Sequence, residues 1–254
     1  MNLLLLCLVA GSLAYVSTTT YSRYRNASAH ESIVLNAQQL REEPMLKITR
    51  GLEPLKALTE KKLVLTCDVL YRPAATIMWT FNELPIQGDL EISMEDKIIN
   101  MDTPVYEAGN LRSTLTIECP STADTGVYRC ITTNGIETVS SAAWIEFVSS
   151  GDECKSNGIS GPVITQWSYS RFEYRGNAAI LVCRADRPAE WIWKNADNET
   201  IETGGRFEIL PNGDLLIQNI SWADMGPYFC TARNEFGESG EVTFLYPFRA
   251  PRRF

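Results

Sequence analysis

The chain has 254 residues, of which 44% are apolar and 21% charged, with a formal net charge of -8. That length suits two domains of about 100 residues each plus a leader and a connector, and the composition is that of a folded chain. The acidic balance argues against nucleic acid or an anionic membrane surface as a partner.

Residues 1–14 run from the uncharged apolar stretch Leu3 to Ala10, which includes Cys7, into Gly11-Ser12-Leu13-Ala14. An apolar run of about a dozen residues is too short to span a bilayer, and small residues at positions three and one before a cut after Ala14 read as a secretory signal. Losing Cys7 with that signal leaves six cysteines, an even number, which an oxidising compartment would allow to pair. No later run approaches the roughly 20 apolar residues of a membrane helix, so export without membrane insertion is expected. Residues 15–44 form a polar N-terminal extension, expected to be disordered, with the only histidine, His30. Ser28 and Glu31 have capping-box spacing, and Ile33, Ala37 and Leu40 fall on one helical face, so a short helix is the competing expectation.

Residues 45–148 make the first domain. Leu63, Leu65 and Cys67 alternate as a half-buried strand should, as do Ile77, Trp79 and Phe81, and Leu115 with Ile117. Cys67 is followed by Trp79 and then by Asp124-Thr125-Gly126-Val127-Tyr128-Arg129-Cys130. Residues 149–161 are small and polar, broken by three glycines, and read by composition as a flexible linker. In the second domain, residues 162–247, strands are expected over Ala179 to Cys183, Glu190 to Lys194, Arg206 to Leu210 and Leu215 to Gln218, with Asn212-Gly213 turning a hairpin. Here Cys183 is followed by Trp193 and by Asp224-Met225-Gly226-Pro227-Tyr228-Phe229-Cys230. Residues 248–254 are a basic tail.

Cysteine, tryptophan, then Asp-x-Gly-x-Tyr-x-Cys is the spacing of an immunoglobulin-type sandwich, and two copies predict an all-β protein of two tandem immunoglobulin-like, I-set-type β-sandwiches. The repeat pairs Cys67 with Cys130 and Cys183 with Cys230 across the two cores, with Trp79 and Trp193 packed beside them. Tyr128 and Tyr228 share a strand face with the second cysteine and suit a tyrosine corner. Immunoglobulin domains commonly pair an arginine with the motif's aspartate, which the resemblance carries over to Arg206 and Asp224; Asp124 holds the matching place in the first copy. Cys119 and Cys154 remain for each other, which would tether the linker and limit how domain two can swing; free thiols or a bond to another molecule are the alternatives. Trp79 to Cys130 spans 51 positions against 37 for Trp193 to Cys230. The 14 additional residues fall around 89–110, as an extra edge strand or a long loop, either used for recognition or merely solvated.

One histidine supports no Ser-His or Cys-His arrangement, and no zinc spacing or glycine-rich phosphate loop occurs, so neither enzyme, metal nor cofactor is expected. Glu42-Glu43 and Glu95-Asp96 read as solvated surface. Trp144, Trp167 and Trp222 lie outside the core pattern and are candidate interface anchors. Asn26, Asn198 and Asn219 each begin an Asn-x-Ser/Thr glycosylation sequence.

Further stretches carry a narrower resemblance. These are Pro73-Ala74-Ala75-Thr76-Ile77 before Trp79, Leu115 through Ser121, Ser170-Arg171-Phe172-Glu173, Asn212-Gly213-Asp214-Leu215 through Gly226, Ala232-Arg233-Asn234 and Phe244-Leu245-Tyr246-Pro247. Over roughly residues 45 to 247 the chain resembles the nematode secreted zwei-Ig proteins. The second domain is also similar to an insect secreted two-immunoglobulin protein that sequesters insulin-like peptides. The first resemblance implies a secreted neuronal protein that keeps axons in place in the ventral nerve cord, with an immunoglobulin-family or receptor ectodomain as partner. The second implies a soluble carrier of insulin-like peptides.

Overall fold

A computed structural model describes residues 40, 42–59, 61–149, 151, 154 and 160–250. The expected signal, Asn26, His30 and nearly all of the extension lie outside these residues. Leu40, expected at the end of a helix or in a disordered stretch, instead forms a parallel bridge with Val105.

Domain one contains β1 (Met45–Arg50), β2 (Leu55–Leu58), β3 (Leu63–Arg72), β4 (Thr76–Phe81), β5 (Leu84–Gly88), the short helix α1 (Glu95–Ile99), β6 (Ala108–Ile117), β7 (Gly126–Thr133) and β8 (Thr138–Val148). Domain two contains β9 (Ile164–Tyr174), β10 (Ala179–Leu181), β11 (Cys183–Ala185), β12 (Glu190–Lys194), β13 (Thr200–Ile201), β14 (Phe207–Ile209), β15 (Leu215–Ile217), β16 (Gly226–Asn234) and β17 (Gly237–Phe248). Period-two patterning is visible in the result: in β3, Leu65, Cys67, Val69 and Tyr71 are buried and the residues between them are not. The departures from the expected bounds are local. The first strand of domain two's smaller sheet breaks at Val182, the strands expected over Arg206 to Leu210 and Leu215 to Gln218 shorten to Phe207–Ile209 and Leu215–Ile217, and Phe248, expected in the tail, ends β17.

In domain one the sheet β1-β3-β6 faces the sheet β2-β8-β7-β4-β5; in domain two β10-β15-β14 faces β9-β17-β16-β12-β13. Trp79 lies directly across from Cys130, and Trp193 directly across from Cys230. Both indoles are fully buried, which contributes about 5 kcal/mol each by area.

The two sandwiches do not hang from a hinge. β6 of domain one and β9 of domain two pair antiparallel, Ala108 with Phe172, Gly109 with Arg171 and Asn110 with Ser170, then past a bulge Leu111 with Ser168 and Ser113 with Gln166. This joins β1-β3-β6 to β9-β17-β16-β12-β13, with β11 also on β9, as one nine-stranded sheet. An unpaired β6 would present a row of bare N–H and C=O groups, and β9 satisfies them. Gly109 permits the approach, because a Cβ there would run into the Ser170 carbonyl oxygen and the Tyr71 hydroxyl. Trp167 is a correction: it lies in β9 inside the domain-two core, 6% exposed, and is not a surface anchor.

The 14-residue excess is neither an edge strand nor a solvated loop. It forms α1 and its flanks, which pack on domain two: Asn100 Nδ2 donates to the Ala178 carbonyl at 2.8 Å and the Ala178 N–H returns a bond to Asn100 Oδ1 at 2.7 Å. Asn177 Nδ2 reaches the Pro104 carbonyl at 2.8 Å, and Arg184 Nη2 reaches Ser93 Oγ at 3.1 Å.

Candidate functional site

The staples and corner residues frame the molecule. Cys67–Cys130 and Cys183–Cys230 cross the two cores with Cα separations of 6.5 and 6.6 Å. Tyr128 and Tyr228 donate their hydroxyls to the carbonyls of Asp124 and Asp224 at 2.9 and 3.2 Å. Burial pushes both phenols up to about 12, with the neighbouring aspartates adding to the effect, so both remain donors. Arg206 binds Asp224 through both terminal nitrogens, one at 2.8 Å to Oδ2. Burial raises the Asp224 carboxyl, but hydrogen bonds from Arg206 and Ser221 outweigh it and leave the group below its ordinary value. Asp124 accepts the Ser121 N–H at 2.7 Å, as Asp224 accepts that of Ser221 at the same distance.

Cys119 is bonded to Cys154, with Cα atoms 5.4 Å apart. This bond was expected to restrain the swing of domain two, but the β6–β9 pairing already does so. Replacing Cys119 and Cys154 together with serine is therefore expected to leave the solution-scattering radius of gyration unchanged. It should still lower stability by about 4 kcal/mol through the lost loop constraint. An enlarged radius would show that the disulfide, not the sheet, sets the domain geometry.

Beneath the shared sheet lies a sealed group of charges that the sequence did not announce. Lys97 Nζ meets Glu107 Oε2 at 2.6 Å, and Arg171 Nη2 meets Asp96 Oδ2 at 3.0 Å and Glu173 Oε2 at 3.4 Å. Each of these five side chains is at most 3% exposed, so the reading of Glu95-Asp96 as solvated surface holds for Glu95 and fails for Asp96. Glu173 also accepts the Tyr106 and Glu107 N–H groups of domain one, both at 3.0 Å, and those of Tyr174 at 2.7 Å and Asn177 Nδ2 at 3.1 Å. Its carboxylate thus ties backbone from both domains. A second link joins the cores: Trp79 Nε1 donates to Ser113 Oγ at 2.9 Å, whose hydroxyl donates to the Thr165 carbonyl at 2.8 Å.

On the outward side of the same sheet, alternate residues of β17 point to solvent: Val242, Phe244 and Tyr246, between 36% and 43% exposed. Cross-strand pairing sets Phe229 beside Val242 and Phe172 beside Tyr246. Trp222, 51% exposed, meets the Tyr246 ring edge-on at 5.8 Å. The aromatic run continues across the domain boundary, from Tyr246 to Phe248 at 6.4 Å and from Phe248 to Tyr106 of domain one at 4.7 Å, with Arg72 over the Tyr106 ring at 5.2 Å. Arg112, held by Asp68 at 2.6 and 2.7 Å, flanks the face beside Tyr169. A patch of large apolar side chains rimmed by polar groups is the kind of face that binding partners cover, and this one is the candidate site. Trp222 belongs to it, whereas Trp144, 53% exposed, lies on β8 in the other sheet. Among the described residues no cluster of His, Cys, Asp or Glu side chains is disposed to hold a metal ion. Asn198 and Asn219 are both exposed, at backbone φ of 62° and 49°, and Asn219 lies three residues before Trp222 in the chain.

The stripe had a sequence signal in the alternation Val242, Phe244, Tyr246, Phe248, masked because Leu245 and Pro247 on the inner face are apolar too. The buried charges had none beyond the run Ser170-Arg171-Phe172-Glu173 that carries the family resemblance.

Residues 47–134 match the immunoglobulin domain family and residues 162–245 the immunoglobulin I-set domain family. The chain is 42% identical over 247 residues to the Zwei Ig domain protein zig-3 of Caenorhabditis elegans, covering 96% of this chain and 98% of that protein. It is 40% identical to zig-4 of the same organism, covering 87% and 89%. The Neural/ectodermal development factor IMP-L2 of Drosophila melanogaster is 30% identical over 72% of this chain and 69% of its own length. The crystal structure of IMP-L2 superposes with a TM-score of 0.63 at 27% identity, covering 81% of this chain and 96% of that one, a span that takes in both domains.

Proposed function

The chain belongs to the zwei Ig family of two-immunoglobulin-domain proteins, and from that premise we propose that it is an exported recognition protein of the nervous system, holding axons in position in the ventral nerve cord by binding a cell-surface ectodomain. The observation that carries the binding reading is the exposed apolar, mostly aromatic stripe of Phe229, Val242, Phe244 and Tyr246, with Trp222 against it, on a sheet shared by both domains. A rigid β scaffold holds these rings at little entropic cost, and aromatic side chains on such a face are the residues that dominate protein interfaces. The immunoglobulin fold and its immunoglobulin relatives point to recognition rather than catalysis. Among the described residues no helix is long and apolar enough to cross a membrane. Asn198 and Asn219 are proposed as glycan sites.

The likeness to IMP-L2 in sequence and in domain arrangement favours a second reading, a soluble carrier of insulin-like peptides that dampens growth-factor signalling. One experiment separates the two. The purified glycosylated protein is measured against a panel of neuronal cell-surface ectodomains and a panel of insulin-like peptides at physiological salt. Submicromolar binding to an ectodomain is the expected result, and the double substitution Phe244→Asp and Tyr246→Asp should weaken it by about 30-fold or more, as loss of two aromatic anchors does. Binding to a peptide alone would move the assignment to the carrier. A double variant that binds like the parent would remove the stripe as the binding face.

A further inference from the structure

We propose that the boundary between the domains is a proton-dependent clamp: Asp96 and Glu173, which share one nitrogen of the Arg171 guanidinium, bind a single proton while the boundary is closed, and its release loosens the pairing of β6 with β9.

Charge balance at the boundary is the first support. The groups facing this site are Asp96 and Lys97 from α1, Tyr71 from β3, Tyr106 and Glu107 from the segment before β6, and Ser168, Arg171, Glu173 and Tyr174 from β9; β10 adds the Ile180 backbone bond to Asp96, and the small cavity beside Asp96 and Tyr71 is also lined by Glu91 and by Arg184, whose own partner is Asp214. Two cations face three carboxylates. With every group ionised the sealed cluster carries one uncompensated negative charge, a costly state away from water. One bound proton makes it neutral.

Geometry restricts where that proton resides. Glu107 has its own cation, Lys97, at 2.6 Å; burial pushes its carboxyl up, but Lys97 and Arg171 outweigh burial and hold it below the ordinary value. Asp96 and Glu173 must share a single nitrogen, Arg171 Nη2, at 3.0 and 3.4 Å. The Arg171 Nε and Nη1 atoms and Glu107 Oε1 make no hydrogen bond within the protein, so the guanidinium serves neither carboxylate fully. Burial raises the Glu173 carboxyl to about 7, with Glu107 adding and Arg171 and the Tyr106 and Tyr174 N–H bonds opposing; burial and Glu107 likewise raise Asp96 against the pull of Arg171, Lys97 and the Ile180 backbone bond. Tyr71 is raised by burial and stays protonated throughout.

The sign follows from linkage. When the boundary opens, Glu173 returns toward its ordinary 4.5, so between 4.5 and about 7 the closed form binds a proton that the open form does not. Closure is strongest at the acid end of that window, weakens as pH rises through it, and levels off above about 7.

The test is hydrogen exchange on the full disulfide-bonded protein from pH about 5 to about 8, comparing protection of the β6–β9 ladder with that of β4–β7 inside domain one, after correction for intrinsic rates. The ratio is expected to fall by up to roughly tenfold per pH unit until about 7. Asp96→Asn and Glu173→Gln each leave two cations with two carboxylates, so each should flatten the ratio. A ratio that is flat in the parent protein overturns the clamp, and a parent-like slope retained in either variant overturns the shared proton. If one variant fails to fold, the other and the parent profile still decide.

Discussion

Arg171→Leu is expected to lower stability by about 3–5 kcal/mol, because it removes one partner from a buried ionic group and leaves the others behind. Arg171 is 1% exposed and stands between Asp96 of domain one and Glu173 of its own strand. Leucine fills much of the space but leaves three carboxylates with Lys97 as their only cation. The charges can find water only if β6 and β9 separate, so the variant should also show a larger radius of gyration. Equilibrium denaturation and solution scattering check both halves. A variant with parental stability and radius would mean that the ladder of backbone bonds holds the domains without the ions. The contrast with Cys119→Ser and Cys154→Ser is informative, since both variants lose stability but only Arg171→Leu should change shape.

Removing the core disulfide by Cys67→Ala and Cys130→Ala should cost about 4 kcal/mol by the loop-closure estimate, within the range seen for exported domains. The bond closes a loop between residues 63 positions apart and lies against Trp79, which is fully buried. Trp79 in turn holds Ser113, and Ser113 holds the Thr165 carbonyl of domain two. Disorder introduced at this disulfide should therefore reach the boundary, so that exchange of the β6–β9 amides rises along with the loss of global stability. Denaturation monitored by tryptophan fluorescence and hydrogen exchange are the measurements. A loss below about 1 kcal/mol would contradict the loop-closure account.

Much of the architecture was legible because local rules carry it. Cys67 with Trp79 and Cys183 with Trp193 sit at the distances a sandwich requires, and the alternation through Leu65, Cys67 and Val69 states which face is buried. Asn212-Gly213 marks its hairpin because Gly213 takes a φ of 102°, open to glycine at no steric cost. β9 was not legible. Its residues Thr165, Gln166, Ser168, Arg171 and Glu173 are polar yet buried, a pattern that fits no half-exposed strand and suggests none when domain two is read alone. The same blindness affected Asp96 and Trp167, whose surroundings come from the other domain or from the far side of their own.

The sequence by itself determined two sandwiches, because a disulfide, an indole and a tyrosine corner recur at short fixed spacings and each copy needs only its own neighbours to fold. Only the tertiary structure decided that the two form one sheet, with sealed charges below and an aromatic face above. That outcome depends on an unpaired edge in one domain meeting a strand of the next across about 60 residues of chain. Edge complementarity is a property of assembled surfaces, and polar residues buried by it look solvated until the partner strand is in place.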